Sequence, residues 1–146
     1  IAFTYLKVMT TSIAEYYLNE LYDWRSAINL YIEEIDDSEE WLQTLLNLDT
    51  VPLFAAKVEH YLNQLFLSKE NLFVLRSVIE SAEKKLYRDQ IPVLNEAITD
   101  DVKTQHKQLR QEMHRIEKEY LSTKYERDAF LAEAIEIQNR LKKTNS

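Results

Sequence analysis

The chain has 146 residues, of which 45% are hydrophobic and 29% charged, and this composition is typical of a globular protein rather than a disordered one. It contains no glycine, which excludes phosphate-binding glycine loops and the strained serine elbow of hydrolases, and no cysteine, which excludes disulfides and thiolate chemistry. The net charge of −7 argues against non-specific binding to nucleic acid. Ten acidic and only two basic residues lie within residues 1–51.

The start of the chain is unusual because it is not a methionine. We predict a single domain over residues 9–146, since Met9-Thr10-Thr11-Ser12 is typical of a natural start. Residues 1–8 are then either a cloning-derived extension or part of a larger protein. The sequence shows neither a signal peptide nor a run of about 18 apolar residues, which favours a cytoplasmic location.

The first helix is predicted over residues 12–36. Ser12 and Glu15 match a capping box, in which each side chain accepts the other residue's backbone N–H. Residues of one predicted buried face follow at spacings of three and four: Ala14, Tyr17, Leu21, Trp24, Ile28, Tyr31 and Ile35. The helix is predicted to end at residues 36–38, because Asp and Ser favour turns and caps.

A short amphipathic helix is predicted over residues 39–48, with five side chains facing inward: Trp41, Leu42, Leu45, Leu46 and Leu48. The densest charge of the chain surrounds its start, and we consider it a candidate interaction surface for a basic partner or a cation: Glu33, Glu34, Asp36, Asp37, Glu39 and Glu40. The simpler interpretation is a solvated turn whose carboxylates favour a helix start. An EF-hand is excluded, since its loop requires a glycine.

The second long helix is predicted over residues 52–89, because Pro52 suits a first helical turn. One row repeats every seven residues: Val58, Leu65, Leu72, Ile79 and Leu86. The polar residues 68–71 could mark a kink, but we predict one continuous helix. Pro92 requires a boundary, because the residue before a proline avoids helical torsions.

The last helix is predicted over residues 95–143, with Thr99 or Asp100 as its cap. Two heptad rows form one seam along it. The first row is Val102, Leu109, Ile116, Thr123, Phe130 and Ile137, and the second is His106, Met113, Tyr120, Arg127, Ala134 and Leu141.

Thr123 and Arg127 interrupt this seam with polar side chains and complete the candidate interaction surface. One interpretation is register control, since a polar pair in an apolar seam penalises wrong alignments. The other, which we favour, is that the seam leaves the core there and Arg127 extends to solvent.

Metal and catalytic sites are not predicted. Glu-x-x-His and His-x-x-x-His pairs, which place metal ligands on one helical face, are both missing from the sequence. A core ligand site remains an alternative, with four candidates: Glu59, His60, Tyr61 and Arg127. A second alternative is contact with an anionic membrane surface or nucleic acid through basic residues of the last helix: Lys103, Lys107, Arg110, Arg115, Arg140, Lys142 and Lys143.

These patterns predict an all-α fold, an up-and-down antiparallel bundle of three long helices plus one short helix with coiled-coil-like packing. The continuous apolar seam predicts a non-catalytic protein-interaction or scaffold module without a cofactor. Its expected partner is another protein, and the unequal helix lengths favour a homodimer.

Overall fold

The fold is all-α and packs helix against helix, as predicted. The structure is a computed structural model that describes residues 13–48, 52–90 and 98–144, and these residues contain three helices and no strand. Helix α1 spans Ile13–Asn47, α2 spans Pro52–Gln90 and α3 spans Asp100–Thr144. Within these ranges, no helix has an apolar stretch long enough to cross a membrane.

Helix α1 continues through the position where a break was predicted. The prediction of an end at residues 36–38 and of a separate short helix over 39–48 was wrong. Of the side chains predicted to face inward there, Leu42 and Leu45 are buried, but Trp41 and Leu48 are exposed. Ile35 and Leu42, one heptad apart, are both fully buried, and Ser38 between them is also buried. The burial of two large side chains, about 1.5–3 kcal/mol each, outweighs the weak turn preference of Asp and Ser. The predicted cap Ser12 lies outside the described residues.

Helix α2 agrees closely with its prediction. It begins at Pro52 and continues without interruption through residues 68–71. Every member of its predicted seven-residue row is buried, from Val58 to Leu86. The breaks predicted around residues 49–51 and at Pro92 lie outside the described residues.

Helix α3 begins at the predicted cap. The Thr99 hydroxyl accepts the backbone N–H of Val102 at 3.3 Å, and the Thr99 carbonyl accepts that of Lys103 at 3.1 Å. The helix proper starts at Asp100, five residues after the predicted start, and residues 95–97 are not described. Its seam is buried from His106 to Ala134, with Thr123 half-buried, whereas Leu141 at its far end is exposed.

The contacts divide the chain into two compact units, and each of the three helices contributes to both. Unit 1 comprises Ile1–Asn29 and Phe73–His114, and unit 2 comprises Leu30–Leu72 and Arg115–Ser146. The buried apolar residues of unit 1 are Leu21, Ile28, Leu75, Ile79, Leu86, Leu109 and Met113. Those of unit 2 are Ile32, Ile35, Leu42, Leu45, Val58, Leu65, Leu72, Ile116, Tyr120, Phe130 and Ala134. The single domain over residues 9–146 stays a prediction.

Candidate functional site

Unit 1 contains a buried histidine enclosed by two aromatic rings. His106 of α3 is 5% exposed. Its imidazole stacks on Tyr17 of α1, with ring centroids 3.7 Å apart, and on Trp24, at 5.2 Å. Burial lowers the pKa of His106, because desolvation disfavours the imidazolium. The predicted interpretation of Tyr17 and Trp24 as part of one packed helix face fits this contact.

Glu20 joins this histidine to a surface arginine. Glu20 Oε1 lies 3.0 Å from His106 Nε2, and Arg110 donates Nε to Glu20 Oε2 at 3.0 Å and Nη2 to Oε1. Burial alone would raise the pKa of Glu20, but the hydrogen bonds from Arg110 and His106 outweigh it and lower that pKa. Every charge of this layer therefore has a partner.

Unit 2 contains a second aromatic layer, built around Tyr120. The rings of Tyr31 and Tyr120 lie 4.5 Å apart. Tyr120 donates its hydroxyl to Glu34 Oε2 at 2.7 Å, and Tyr31 donates to Glu117 Oε2 at 2.6 Å. Burial, followed by these hydrogen bonds to carboxylates, raises the pKa of both phenols. Lys124 pairs with Glu34 in the same layer, and that pair helps to lower the pKa of Glu34 against the opposing effect of burial.

The two layers repeat the same plan 14 residues apart. Tyr17 and Glu20 of unit 1 correspond to Tyr31 and Glu34 of unit 2. The ring that meets each glutamate follows it by 86 positions in both units. The cation that pairs with each glutamate, Arg110 or Lys124, lies four residues beyond that ring. Our sequence analysis missed this plan, although Tyr-x-x-Glu occurs twice at a spacing of two heptads.

Several positions differ between the two layers, among them the central ring, which is His106 or Tyr120, and Glu117, the partner of Tyr31, which corresponds to Lys103. Trp24 of unit 1 corresponds to Ser38 of unit 2, and Met113 corresponds to Arg127. Arg127 is 2% exposed, so the prediction that it extends to solvent was wrong. Its Cζ lies 5.9 Å from the Tyr120 ring centroid, whereas in unit 1 an indole packs on the equivalent ring. Ser38 is buried, and its side chain is far smaller than an indole.

The Arg127 guanidinium is incompletely paired. Its Nε and Nη2 are buried and have no hydrogen-bond partner within residues 13–48, 52–90 and 98–144. A buried polar group without a partner costs free energy, and a buried charge costs more. Such an orphaned group in a folded protein indicates a missing partner or a functional role.

Thr123, the other predicted seam interruption, lies one turn away from Arg127. Its hydroxyl donates to the Tyr120 carbonyl at 2.9 Å. It lines a cavity of about 280 Å³ between α2 and α3 in unit 2. The cavity also has polar side chains from α2, namely Gln64, Ser68 and Asn71, and it is bordered by Tyr120.

The six acidic residues of the candidate surface do not form one cluster. Because α1 is continuous, they are distributed around a helix instead of a turn. Glu34 belongs to the Tyr120 layer, and Asp36 pairs with Lys69 of α2. Glu33, Asp37 and Glu40 are exposed, and Glu39 is half-buried. In the described part of the chain, no three acidic or histidine side chains are placed to hold a metal ion.

The other candidate sets also do not converge. Glu59 and His60 are exposed, whereas Tyr61 packs on Phe130 at 5.0 Å between ring centroids. Of that core-ligand set, only Arg127 is fully buried. The basic residues of α3 are partly engaged within the chain, since Arg110 pairs with Glu20 and Arg140 with Glu136.

Unit 1 contains an apolar groove between α2 and α3 that sequence reasoning missed. It has a volume of about 460 Å³ and a largely apolar surface. Its lining consists of five apolar residues, Val78, Ala82, Leu86, Val102 and Leu109, and six polar ones, Ser81, Lys85, Gln105, His106, Gln108 and Glu112. Val78 is 49% exposed, and Val74, one turn before it, is 66% exposed. Both valines lie outside the predicted heptad rows. Apolar residues outside those rows were the sequence signal that could have indicated this groove.

Comparison with known proteins gives no guidance on this arrangement. No model of a protein family, no curated protein and no solved structure matches the chain.

Proposed function

We propose that this chain is a non-catalytic protein-interaction or scaffold module, and that the α2–α3 groove of unit 1 is its binding surface. The observation that carries the proposal is the apolar lining of this groove beside two exposed valines, Val74 and Val78. Grooves of this kind receive the apolar face of an amphipathic helix. Solvent contact with such a surface is unfavourable by about 25 cal/mol for each Å² of apolar area.

We propose a second copy of the chain as the occupant. The groove and the exposed valines at its edge lie on the same face of unit 1, so one face offers both the projecting side chains and the depression that accepts them. A two-fold dimer requires this self-complementarity, because the same patch is used on both subunits.

The proposal includes an up-and-down antiparallel arrangement of α1 and α2 in unit 1. Two contacts support it. Arg25 pairs with Glu83, and Asn29, further along α1, accepts from Arg76, which lies earlier along α2. From residue 25 to residue 29 of α1, the partner on α2 changes from residue 83 to residue 76. This decrease is expected for antiparallel neighbours.

Sedimentation equilibrium of the full chain between about 1 and 200 µM tests the dimer. We expect the wild type to dimerise and Val78→Glu to weaken the association at least about tenfold, because a carboxylate would be buried in an apolar interface. Ser77→Glu is the matched control, since it adds the same charge at an exposed position on the same helix. Circular dichroism verifies that both variants are folded.

Two results would contradict the proposal. One is a wild type that stays monomeric over the whole concentration range. The other is an equal loss of dimer in Val78→Glu and Ser77→Glu, which would indicate a general charge effect instead of a contact in the groove.

A further inference from the structure

Helix α2 carries a second heptad pattern in unit 1, on a face other than its buried one. Val74, Val78, Ser81 and Lys85 follow one another at spacings of four, three and four. Such spacings keep side chains on one side of a helix. All four residues are exposed, and the last three line the groove between α2 and α3. The two exposed valines therefore belong to a longer stripe, which has the spacing of a coiled-coil seam and is exposed along its whole length.

The last residue of this stripe is charged, and the opposite wall of the groove has a charge of the other sign. Lys85 is exposed on α2, Glu112 is half-buried on α3, and both line the groove. Glu112 already has a contact within its own chain, but a carboxylate has about four acceptor positions, so it can also bind a second cation. The two walls of the groove thus have complementary charges, which a second copy could pair with its own.

The relative orientation of two copies determines whether these charges can meet. A two-fold axis parallel to the helices keeps every residue of the partner at its own level, so identical stripes meet residue by residue. This axis also turns the α2 wall of one copy toward the α3 wall of the other, which brings Lys85 beside the partner's Glu112. An antiparallel pairing centred on the two valines would instead move Lys85 about 27 Å from the same level of the partner, at 1.5 Å for each of about 18 residues. Of the two orientations, only the parallel one joins both the stripes and the charges.

We propose that the two copies associate with their α2 helices parallel, through the stripe Val74, Val78, Ser81 and Lys85, and that Lys85 of each copy pairs with Glu112 of the other. The parallel orientation rests on the dimer proposed above and specifies how its two copies face each other. The ion pairs act mainly on specificity, because exposed pairs contribute little affinity whereas like charges in contact are strongly unfavourable.

Single-cysteine variants test the orientation, because the chain has no cysteine of its own. In a parallel dimer, Val74→Cys and Ser81→Cys should each form a disulfide with the same position of the partner under mild oxidation. An antiparallel dimer has only one level at which a residue meets its own copy, so at most one of the two variants would cross-link. Glu80→Cys is the control, since it lies about 200° around α2 from Val78 and should not cross-link. Non-reducing gels measure the yield.

Charge reversal tests the ion pairs. Lys85→Glu and Glu112→Lys should each raise the dissociation constant of the dimer at least about tenfold at low salt, because each variant makes the facing charges alike. An equimolar mixture of the two variants should associate again, since opposite charges then meet between unlike chains. Lys84→Glu is the matched control, with the same change of charge at a neighbouring exposed position outside the stripe. Sedimentation equilibrium measures association, and circular dichroism verifies that each variant is folded.

The outcomes separate this orientation from the dimer itself. A wild type that stays monomeric overturns both. A wild type that dimerises while Val74→Cys and Ser81→Cys do not both cross-link overturns the parallel orientation and leaves the groove dimer intact.

The charge pairs have their own test. They are overturned if the mixture of Lys85→Glu and Glu112→Lys associates no better than either variant alone. If Glu112→Lys does not fold, they are overturned when Lys85→Glu weakens the dimer no more than Lys84→Glu does.

Discussion

The two units build the same aromatic layer from α1 and α3 but complete it in opposite ways. In unit 1 an indole from Trp24 covers the central ring, and the cation Arg110 is fully paired with Glu20. In unit 2 the guanidinium of Arg127 contacts the central ring and keeps two nitrogens unpaired within the described residues. The two layers therefore differ at Trp24 and Ser38 of α1 and at Met113 and Arg127 of α3, as well as in the central ring itself.

The surfaces between α2 and α3 also differ between the two units. The surface of the unit 1 groove is largely apolar, although Lys85, Gln105 and Glu112 also line it. The cavity of unit 2 is lined by polar residues, among them Gln64, Asn71 and Glu119, together with Leu67, Leu72 and Ile116.

The largest expected effect on stability comes from removing the Trp24 indole, which stacks on His106 in unit 1. Trp24→Ala should lower the free energy of unfolding by about 2–4 kcal/mol, because it removes a large apolar side chain from the His106 stack. Ser38→Ala, at the equivalent position of unit 2, should change it by less than about 1 kcal/mol. Urea denaturation followed by circular dichroism measures both. Equal losses would mean that the two positions have the same role after all.

The next effect concerns the glutamates of the two layers. Glu34→Gln should cost about 2–4 kcal/mol, because it removes the partner of Lys124 and a negative charge near buried Arg127. Glu20→Gln should cost less, about 1–2 kcal/mol, since Arg110 is partly exposed and can be hydrated. Adding Arg127→Met to Glu34→Gln should restore part of the loss, and the double-mutant cycle measures that coupling. No coupling would show that Glu34 does not stabilise Arg127.

A smaller effect is expected in the pH dependence of stability, and it comes from His106 of unit 1. Because the pKa of His106 is lowered in the fold, the unfolded chain takes up its proton first as the pH falls below about 6.5. The contribution of His106 is therefore complete above that pH and is lost as the pH falls toward the folded pKa.

His106→Tyr, which installs the residue that unit 2 has at this position, should flatten the dependence of unfolding free energy on pH between about 7.5 and 5.5. Denaturation at a series of pH values measures it. His114→Tyr, on an exposed face of the same helix, is the matched control. The same flattening in both variants would contradict the assignment to His106.

The smallest effect is expected in the stability at alkaline pH, and it comes from two tyrosines of unit 2. The pKa values of Tyr31 and Tyr120 are raised in the fold, so above about 10 the unfolded chain loses these protons first. Stability is thus complete below that pH and falls as the pH rises through the folded values. Tyr31→Phe should reduce this alkaline loss, whereas Tyr125→Phe, at an 80% exposed position, is the control. Ultraviolet titration of phenolate absorbance, with denaturation at pH 9 and 11, decides the question.

The sequence by itself determined that the chain is helical and which row of α2 is buried. The seven-residue row from Val58 to Leu86 is buried throughout because a period close to that of the helix keeps its members on one side. The Thr99 cap was also readable, since it depends on a hydroxyl and a backbone N–H three residues away. These features are local, and their physics acts within one or two turns of chain.

Only the tertiary structure decided the features that depend on neighbouring helices. The continuity of α1 through Asp36 and Asp37 results from the burial of Ile35 and Leu42, which local turn preference cannot anticipate. Arg127 is buried with its guanidinium near the ring of Tyr120, two turns before it, although an arginine in a helical seam commonly extends to solvent. The groove of unit 1 forms where side chains of α2 and α3 leave space between the two helices. Whether a side chain is covered, paired or left with unused hydrogen-bond donors is set by atoms distant in the sequence, so pattern alone could not reveal it.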